Sequence, residues 1–155
     1  MCAAVVRYKL EFQTSRDHEW RCVAFLTSSH GQLSVYGIFK NLRDNEKNRF
    51  RSNFDHWCMR GNSPTRHHGY NKSQHGGRYN ECYTFKGRDA KSMLRIHGFL
   101  CNPRTSKPRF QLCVLVHHAY KEGHEIDPSA LDRVIRIRST PGCLLYTSPS
   151  PRDCS

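Results

Sequence analysis

Apolar and charged residues alternate strictly near the start of the chain. The apolar positions are Val6, Tyr8, Leu10 and Phe12, and the positions between them are Arg7, Lys9 and Glu11. A period of two sends successive side chains to opposite faces of a strand, so this pattern predicts an N-terminal strand with one buried face. Residues 20–26 form a shorter apolar run that fits a helix or a strand, with a strand favoured.

A helical period follows the two apolar runs. One apolar row is Leu33, Tyr36, Phe39 and Leu42, and a second is Phe50, Phe54 and Trp57. Spacings of three and four residues place each row on one helical face. Asp44 is expected to cap the second helix because its carboxylate can accept the free N–H groups of the first turn. We therefore predict a helical hairpin over residues 32–59, ended by Gly61.

Residues 62–80 contain hardly any apolar side chains. They are rich in glycine, asparagine, serine and histidine, and they hold Arg66, Lys72 and Arg78 without an acidic residue. This composition is typical of a loop. We expect a loop insertion at about residues 61–79.

The period of two returns in the C-terminal third. Leu94, Ile96 and Leu100 alternate with Arg95, His97 and Phe99, and a second run consists of Phe110, Leu112, Val114 and Val116. Pro103 and Pro108 are confined to the connection, so the two runs predict an antiparallel hairpin. Asp127 and Pro128 then mark a helix start, and Leu131, Val134 and Ile135 supply its apolar face. The expected fold is α+β: a small antiparallel sheet with an N-terminal helical hairpin and a short C-terminal helix.

The last residues, 143–155, are expected to be foreign to this fold. Residues 143–153 read CLLYTSPSPRD, which resembles the translation of a common sequencing adapter. An ordinary flexible Ser/Pro-rich tail is the alternative. We therefore expect a single domain over residues 1–142, followed by an artefactual adapter-derived tail at 143–155.

The charge balance narrows the class of partner. The formal net charge is +12 and the pI is about 9.6. A surplus of this size attracts a polyanion, and nucleic acid is the commonest one. The alternative is a basic surface kept for solubility, or ribosome association without chemistry.

Cysteine usage and hydropathy indicate a cytoplasmic protein. The six cysteines before the tail are scattered at positions 2, 22, 58, 82, 101 and 113, without a CxxC pair or a secretion signal. No stretch reaches the ~18 apolar residues of a membrane helix. A secreted disulfide scaffold is the rival interpretation. A zinc site formed by Cys101, Cys113, His117 and His124 is only weakly indicated, because no closely spaced ligand pair is present. No metal or cofactor is expected.

The C-terminal segments MLRIHGFL and RFQLCVLVHHAYKEGHEIDPSALDRV resemble the RelE/HigB toxin superfamily, in particular its phage-derived branch. Arg95 matches the family's strand arginine. His118, Ala119 and Tyr120 match its His-Gly-Phe step, and Pro128 falls at the expected distance. The resemblance extends over residues 5–138 and implies a RelE-like fold. This chain departs from the family at one point: Glu122 and Gly123 stand where the family usually has a lysine pair.

The resemblance implies the toxin of a toxin-antitoxin pair, a metal-free mRNA endoribonuclease that acts on the ribosome or alone and is neutralised by a cognate antitoxin. In such a reaction the RNA 2′-hydroxyl attacks the adjacent phosphorus. Cations stabilise the charge on the pentavalent phosphate. A histidine or a tyrosine transfers the protons.

The candidate catalytic residues are Arg95, His117, His118 and Tyr120. Strand alternation places Arg95 on the less buried face, where its guanidinium can grip phosphate oxygens, unless it pairs with Glu81 or Asp89 instead. His117 and His118 point to opposite faces, so at most one joins Arg95. Tyr120 could stack on an RNA base or act as a general acid. The alternative is an aromatic side chain at the rim that covers the core.

Further contacts to RNA are expected from Lys86, Arg88, His97 and Lys121. His97 shares a face with Arg95, although an ordinary polar surface role fits it as well. Backbone contacts of this kind position RNA without specifying its sequence. Two alternatives remain open: a non-catalytic RNA-binding protein on the same fold, and an unrelated phage-type protein with a basic surface.

Overall fold

The structure is a computed structural model, which describes residues 7–13, 21–29, 31, 33–61, 66–70, 72–89, 92–101, 111–120 and 128–140. The strands are β1 (Tyr8–Phe12), β2 (Arg21–Ser28), β3 (His67–Gly69), β4 (Cys82–Arg88), β5 (Met93–Cys101) and β6 (Gln111–Tyr120). The helices are α1 (Val35–Lys40), α2 (Asp44–Arg60) and α3 (Pro128–Arg138). A 3-10 turn at His75–Gly77 lies between β3 and β4.

Within the described residues, the strands form one six-stranded sheet in the order β1-β2-β6-β5-β4-β3. β2 pairs with β6 in parallel and every other pair is antiparallel. The predicted small antiparallel sheet of RelE type is therefore wrong, because the sheet is larger and mixed. The predicted N-terminal position of the helical hairpin is also wrong, since β1 and β2 precede both helices.

Helices cover both faces of the sheet. α1 and α2 pack on one face, called here the α2 face, through a cluster that includes Phe25, Phe39, Phe54, Trp57 and Phe85. α3 packs on the other, the α3 face, against Cys22, Val114 and Val116. Burial of each large apolar side chain contributes roughly 1.5–3 kcal/mol. Because both faces are buried, alternation along a strand separates two cores and does not separate core from solvent.

Several predicted elements are confirmed. β1 and the β5–β6 hairpin lie where the alternating patterns place them, and the run at residues 20–26 is a strand, β2. α2 ends at Arg60, and Gly61 follows it with a left-handed φ of 79°. The N-cap, however, is Arg43 and not Asp44: the Arg43 backbone N–H donates to the Glu46 carboxylate at 2.9 Å. The predicted cap at Asp127 lies outside the described residues, as does the tail at 143–155.

The segment predicted as a loop, residues 62–80, has more structure than expected. It contains edge strand β3, which pairs with β4. Farther along, Arg78 forms an ion pair with Asp132 of α3 at 2.8 Å, and the Tyr79 hydroxyl donates to the same carboxylate at 3.1 Å. This segment is therefore attached to both the sheet and α3.

Candidate functional site

Two cations lie opposite each other on the α3 face. In the antiparallel register of β4 and β5, Lys86 pairs with Arg95. Both alternate with residues of the α2-face cluster, which places both side chains on the α3 face. Burial lowers the pKa of Arg95, while burial and then the Arg95 charge lower the pKa of Lys86. A pair of like charges across neighbouring strands is unfavourable unless an anion compensates it.

Arg95 is more buried than the sequence predicts. Its exposed fraction is 9%, so the prediction that it lies on a less buried face is wrong. The reason is that the α3 face is covered too. In the described part of the chain, Arg95 forms no ion pair with Glu81, Asp89 or another carboxylate, and its guanidinium donates a long hydrogen bond of 4.0 Å to the Met93 sulfur.

A chain of hydrogen bonds runs across the same face beside the two cations. The His68 Nε2 lies 2.9 Å from the Tyr70 hydroxyl, and Tyr70 is hydrogen-bonded to Thr84. The Thr84 hydroxyl lies 2.8 Å from Nδ1 of His97. Burial raises the pKa of Tyr70. Because each group is held by its neighbour, the ring of His97 has a fixed orientation two residues from Arg95.

An irregularity in the β5–β6 pairing brings His117 to this face. The register shifts between His97 and Gly98, so that His97 pairs with His117 while Gly98 pairs with Leu115. The two imidazoles stack with centroids 6.4 Å apart and planes at 24°. Gly98 is required at this point, because a Cβ there would collide with the carbonyl oxygen of Val114. The bulge therefore adds an imidazole to the face that carries Arg95.

His118 and Tyr120 lie on the opposite face. Their partners on β5 are Ile96 and Leu94, both in the α2-face cluster. The two rings contact each other edge to face with centroids 6.0 Å apart. Burial lowers the pKa of His118, and burial with a hydrogen bond to Asp89 raises the pKa of Tyr120. Of the four predicted catalytic residues, the structure thus brings together Arg95 and His117 and separates His118 and Tyr120 from them.

The predicted RNA contacts divide in a similar way. Lys86 and His97 lie beside Arg95, and the exposed Arg88 follows on the same face two residues after Lys86. Lys121 lies outside the described residues. We call the group formed by Lys86, Arg88, Arg95, His97 and His117 the cationic strip.

A cavity lies where β6 extends past its neighbour. The β2–β6 pairing reaches Leu115, and beyond it the start of α1 and the body of α3 flank β6. The space between them has a volume of about 150 Å³ and is lined by Leu33, Ser34, Val35, Val116, His117, His118, Arg133 and Ile137. We call it the edge cavity. The sequence prediction omitted Arg133, although its place beside Val134 on an amphipathic helix was a signal for it.

A second buried polar group on the α2 face was also missed. The His56 Nδ1 and His67 Nε2 lie 3.2 Å apart, and the His67 Nδ1 lies 2.9 Å from the Tyr83 hydroxyl. Burial, and then the neighbouring His56, lower the pKa of His67 to about 4. His67 is therefore neutral at neutral pH. The only sequence signal was a histidine pair inside an otherwise polar segment.

Neither a metal site nor a membrane-spanning helix is found in the part of the chain that the structure describes. There, no three histidine, cysteine, aspartate or glutamate side chains gather closely enough to hold a metal ion. His124 lies outside that part. No described helix has the length and apolar character needed to cross a membrane.

Comparisons with family models, with curated proteins and with solved structures found no match to this chain.

Proposed function

We propose that the protein binds single-stranded RNA at the cationic strip and cleaves it without a metal ion. The observation that carries this proposal is the placement of Lys86 opposite Arg95 on one sheet face, where Arg95 has no carboxylate partner among the described residues. A phosphate group bound between these two cations would offset their mutual repulsion. The two N–H groups of the Arg95 guanidinium match the spacing of two phosphate oxygens. The net charge of +12 supports a polyanionic ligand.

The chemistry follows from the three side chains around such a phosphate. The RNA 2′-oxygen forms a bond to phosphorus while the bond from phosphorus to the 5′-oxygen breaks. His117 accepts the 2′-hydroxyl proton, and Arg95 stabilises the charge that develops on the equatorial oxygens. Lys86 donates the proton that the leaving 5′-oxygen takes up. Its lowered pKa makes it a stronger acid than an ordinary lysine. The products are a 2′,3′-cyclic phosphate and a 5′-hydroxyl end.

The biological role that we propose is that of a cytoplasmic toxin in a toxin-antitoxin pair, with mRNA as substrate, on the ribosome or free. The similarity of the C-terminal third to RelE/HigB toxins supports this role at Arg95. It does not extend to the fold. Growth arrest on induction of the chain, relieved by a small antitoxin encoded beside it, is the expected result in cells.

A second candidate, RNA binding without cleavage, is favoured by a different observation. His118 and Tyr120 lie on the α2 face, so His117 is the sole predicted proton-transfer residue on the strip among the described residues. The absence of the lysine pair at Glu122 and Gly123 points the same way. In this alternative the cationic strip would hold RNA and leave it intact.

One experiment separates the two candidates. A single-stranded RNA labelled at both ends is incubated with the protein in EDTA, with and without ribosomes, beside the same RNA carrying 2′-O-methyl groups. We expect cleavage of the unmodified RNA to cyclic-phosphate ends, loss of cleavage in His117→Gln with binding retained, and loss of binding in Arg95→Gln. Binding by the wild type without cleavage in either condition would establish the second candidate. RNA binding that Arg95→Gln leaves unchanged would overturn both.

A further inference from the structure

The edge cavity has walls of two kinds. Leu33, Val116 and Ile137 provide apolar surface, while His117, His118 and Arg133 provide hydrogen-bonding groups. Among the described residues, the buried Nδ1 of His118 has no hydrogen-bond partner. Apolar walls with a few converging polar groups are typical of a site for a small, flat, partly polar ligand.

The volume of the edge cavity limits the size of that ligand. At about 150 Å³ it is comparable to an engineered protein cavity that accepts benzene. A single six-membered ring fits such a space, whereas the fused rings of a purine need more. A pyrimidine base combines the right size with ring atoms that can bond to imidazole and guanidinium groups.

The edge cavity also adjoins the cationic strip through a shared residue. His117 lines the cavity and stacks on His97, which lies two residues from Arg95. An RNA strand with a phosphate at Arg95 would therefore have a neighbouring base within reach of the cavity.

We propose that the edge cavity binds one pyrimidine base of the RNA strand and makes the protein selective for pyrimidines. This inference rests on the proposed RNA binding at the cationic strip. Arg133, which lies outside the strip, contributes hydrogen bonds to the ring and thereby acts in specificity.

The test compares affinities for fluorescein-labelled oligo(U), oligo(C) and oligo(A) by anisotropy. A single bound base contributes roughly 1–3 kcal/mol, so we expect at least one pyrimidine oligomer to bind about 5- to 150-fold more tightly than oligo(A). Leu33→Trp, which fills the cavity from its half-buried rim, should reduce that ratio to about 1 and leave oligo(A) affinity unchanged. The matched control is Met59→Trp, at an exposed position on α2. It should keep the wild-type ratio.

A second cavity variant tests the same inference in case Leu33→Trp does not fold. Arg133→Gln should lower the pyrimidine preference at least threefold, while Arg136→Gln, at an exposed position on the same helix, should not. Equal affinity for all three oligomers, or a preference that neither cavity variant changes, would overturn the inference. Neither result would contradict RNA binding at the cationic strip.

A titration with uncharged uridine, cytidine and adenosine, monitored by ligand-observed NMR, separates this inference from the proposed function. Saturable binding of a pyrimidine nucleoside that Leu33→Trp removes, in a protein that binds no oligomer, would refute RNA binding and retain the pyrimidine site. The absence of nucleoside binding at millimolar concentrations, together with equal oligomer affinities, would refute the pyrimidine site.

Discussion

Lys86 and Arg95 lie directly across from each other on β4 and β5, with both side chains on the face that α3 covers. A buried guanidinium without a carboxylate partner in the described structure is a cost to folding, since removing a charge from water is unfavourable unless it is paired. The function proposed above assigns the pair a role in holding an anion.

The first prediction concerns that cost. Arg95→Met should leave the free energy of unfolding unchanged or raise it by about 1 kcal/mol, because an apolar side chain of similar size replaces a charge that has no carboxylate partner among the described residues. RNA affinity should fall at least tenfold in the same variant. Urea denaturation and fluorescence anisotropy measure the two effects. The control is Arg136→Met at an exposed position, for which both quantities should stay near the wild-type values. A loss of several kcal/mol of stability in Arg95→Met would show instead that Arg95 is a structural residue.

The second prediction concerns the bulge that carries His117. Gly98→Ala should destabilise the protein by roughly 1–3 kcal/mol, since the new Cβ would collide with the Val114 carbonyl oxygen and force the backbone to move. Cleavage should fall further than the loss of folded protein explains, because His117 moves relative to Arg95. Gly37→Ala is the control, as nothing lies within 4 Å of a Cβ at that helical position. Full activity in a folded Gly98→Ala protein would argue against a role for the bulge.

The third prediction follows from His67, whose pKa is lowered from 6.5 to about 4. The unfolded chain binds this proton more readily than the folded one, so the stabilisation is complete above pH 6.5 and is lost as the pH falls toward 4. The loss amounts to at most about 3 kcal/mol. His118, whose pKa burial also lowers, acts in the same direction. Denaturation midpoints from pH 7 to 4.5 should fall steadily, and NMR titration of the His67 ring should show no protonation above pH 5.

The fourth prediction concerns a buried asparagine that fixes β4 to α2. The Asn53 side-chain amide donates to the backbone carbonyl of Lys86 at 3.0 Å. Asn53→Ala leaves that carbonyl unsatisfied and should cost about 1–3 kcal/mol of stability. The neighbouring Ser52→Ala, at an exposed position, should change stability by less than about 0.5 kcal/mol. Equal stability of the two variants in urea denaturation would refute the importance of this bond.

Local periodicity identified most individual elements of the fold. The alternation of Tyr8, Leu10 and Phe12 and the helical spacing of Phe50, Phe54 and Trp57 correspond to β1 and α2. Local periodicity could not identify which strands pair with each other. β2 pairs in parallel with β6, far along the chain, and no local pattern encodes that choice. β4 was missed because its two faces contact two different cores, which hides the usual contrast between apolar and polar positions.

The same limit explains the outcome at the candidate site. Simple alternation correctly put Arg95 and His97 on one face and His117 and His118 on opposite faces. The bulge between His97 and Gly98 then decides which histidine joins Arg95. The extra residue on β6 exchanges the sheet faces to which the side chains after it point. A bulge of this kind depends on strand pairing, so sequence alone could not choose between His117 and His118.

The salt dependence of RNA affinity tests the central claim most directly. Binding of a single-stranded oligomer is measured from 50 to 300 mM salt for the wild type, for the double variant Lys86→Gln/Arg95→Gln, and for the control Arg49→Gln/Arg136→Gln. If both strip cations contact phosphates, the slope of log K against log salt should lose about 0.7 per cation in the strip variant. The slope of the control should match the wild type. An unchanged slope in the strip variant, or an equal loss in the control, would contradict the claim that this pair holds the RNA backbone.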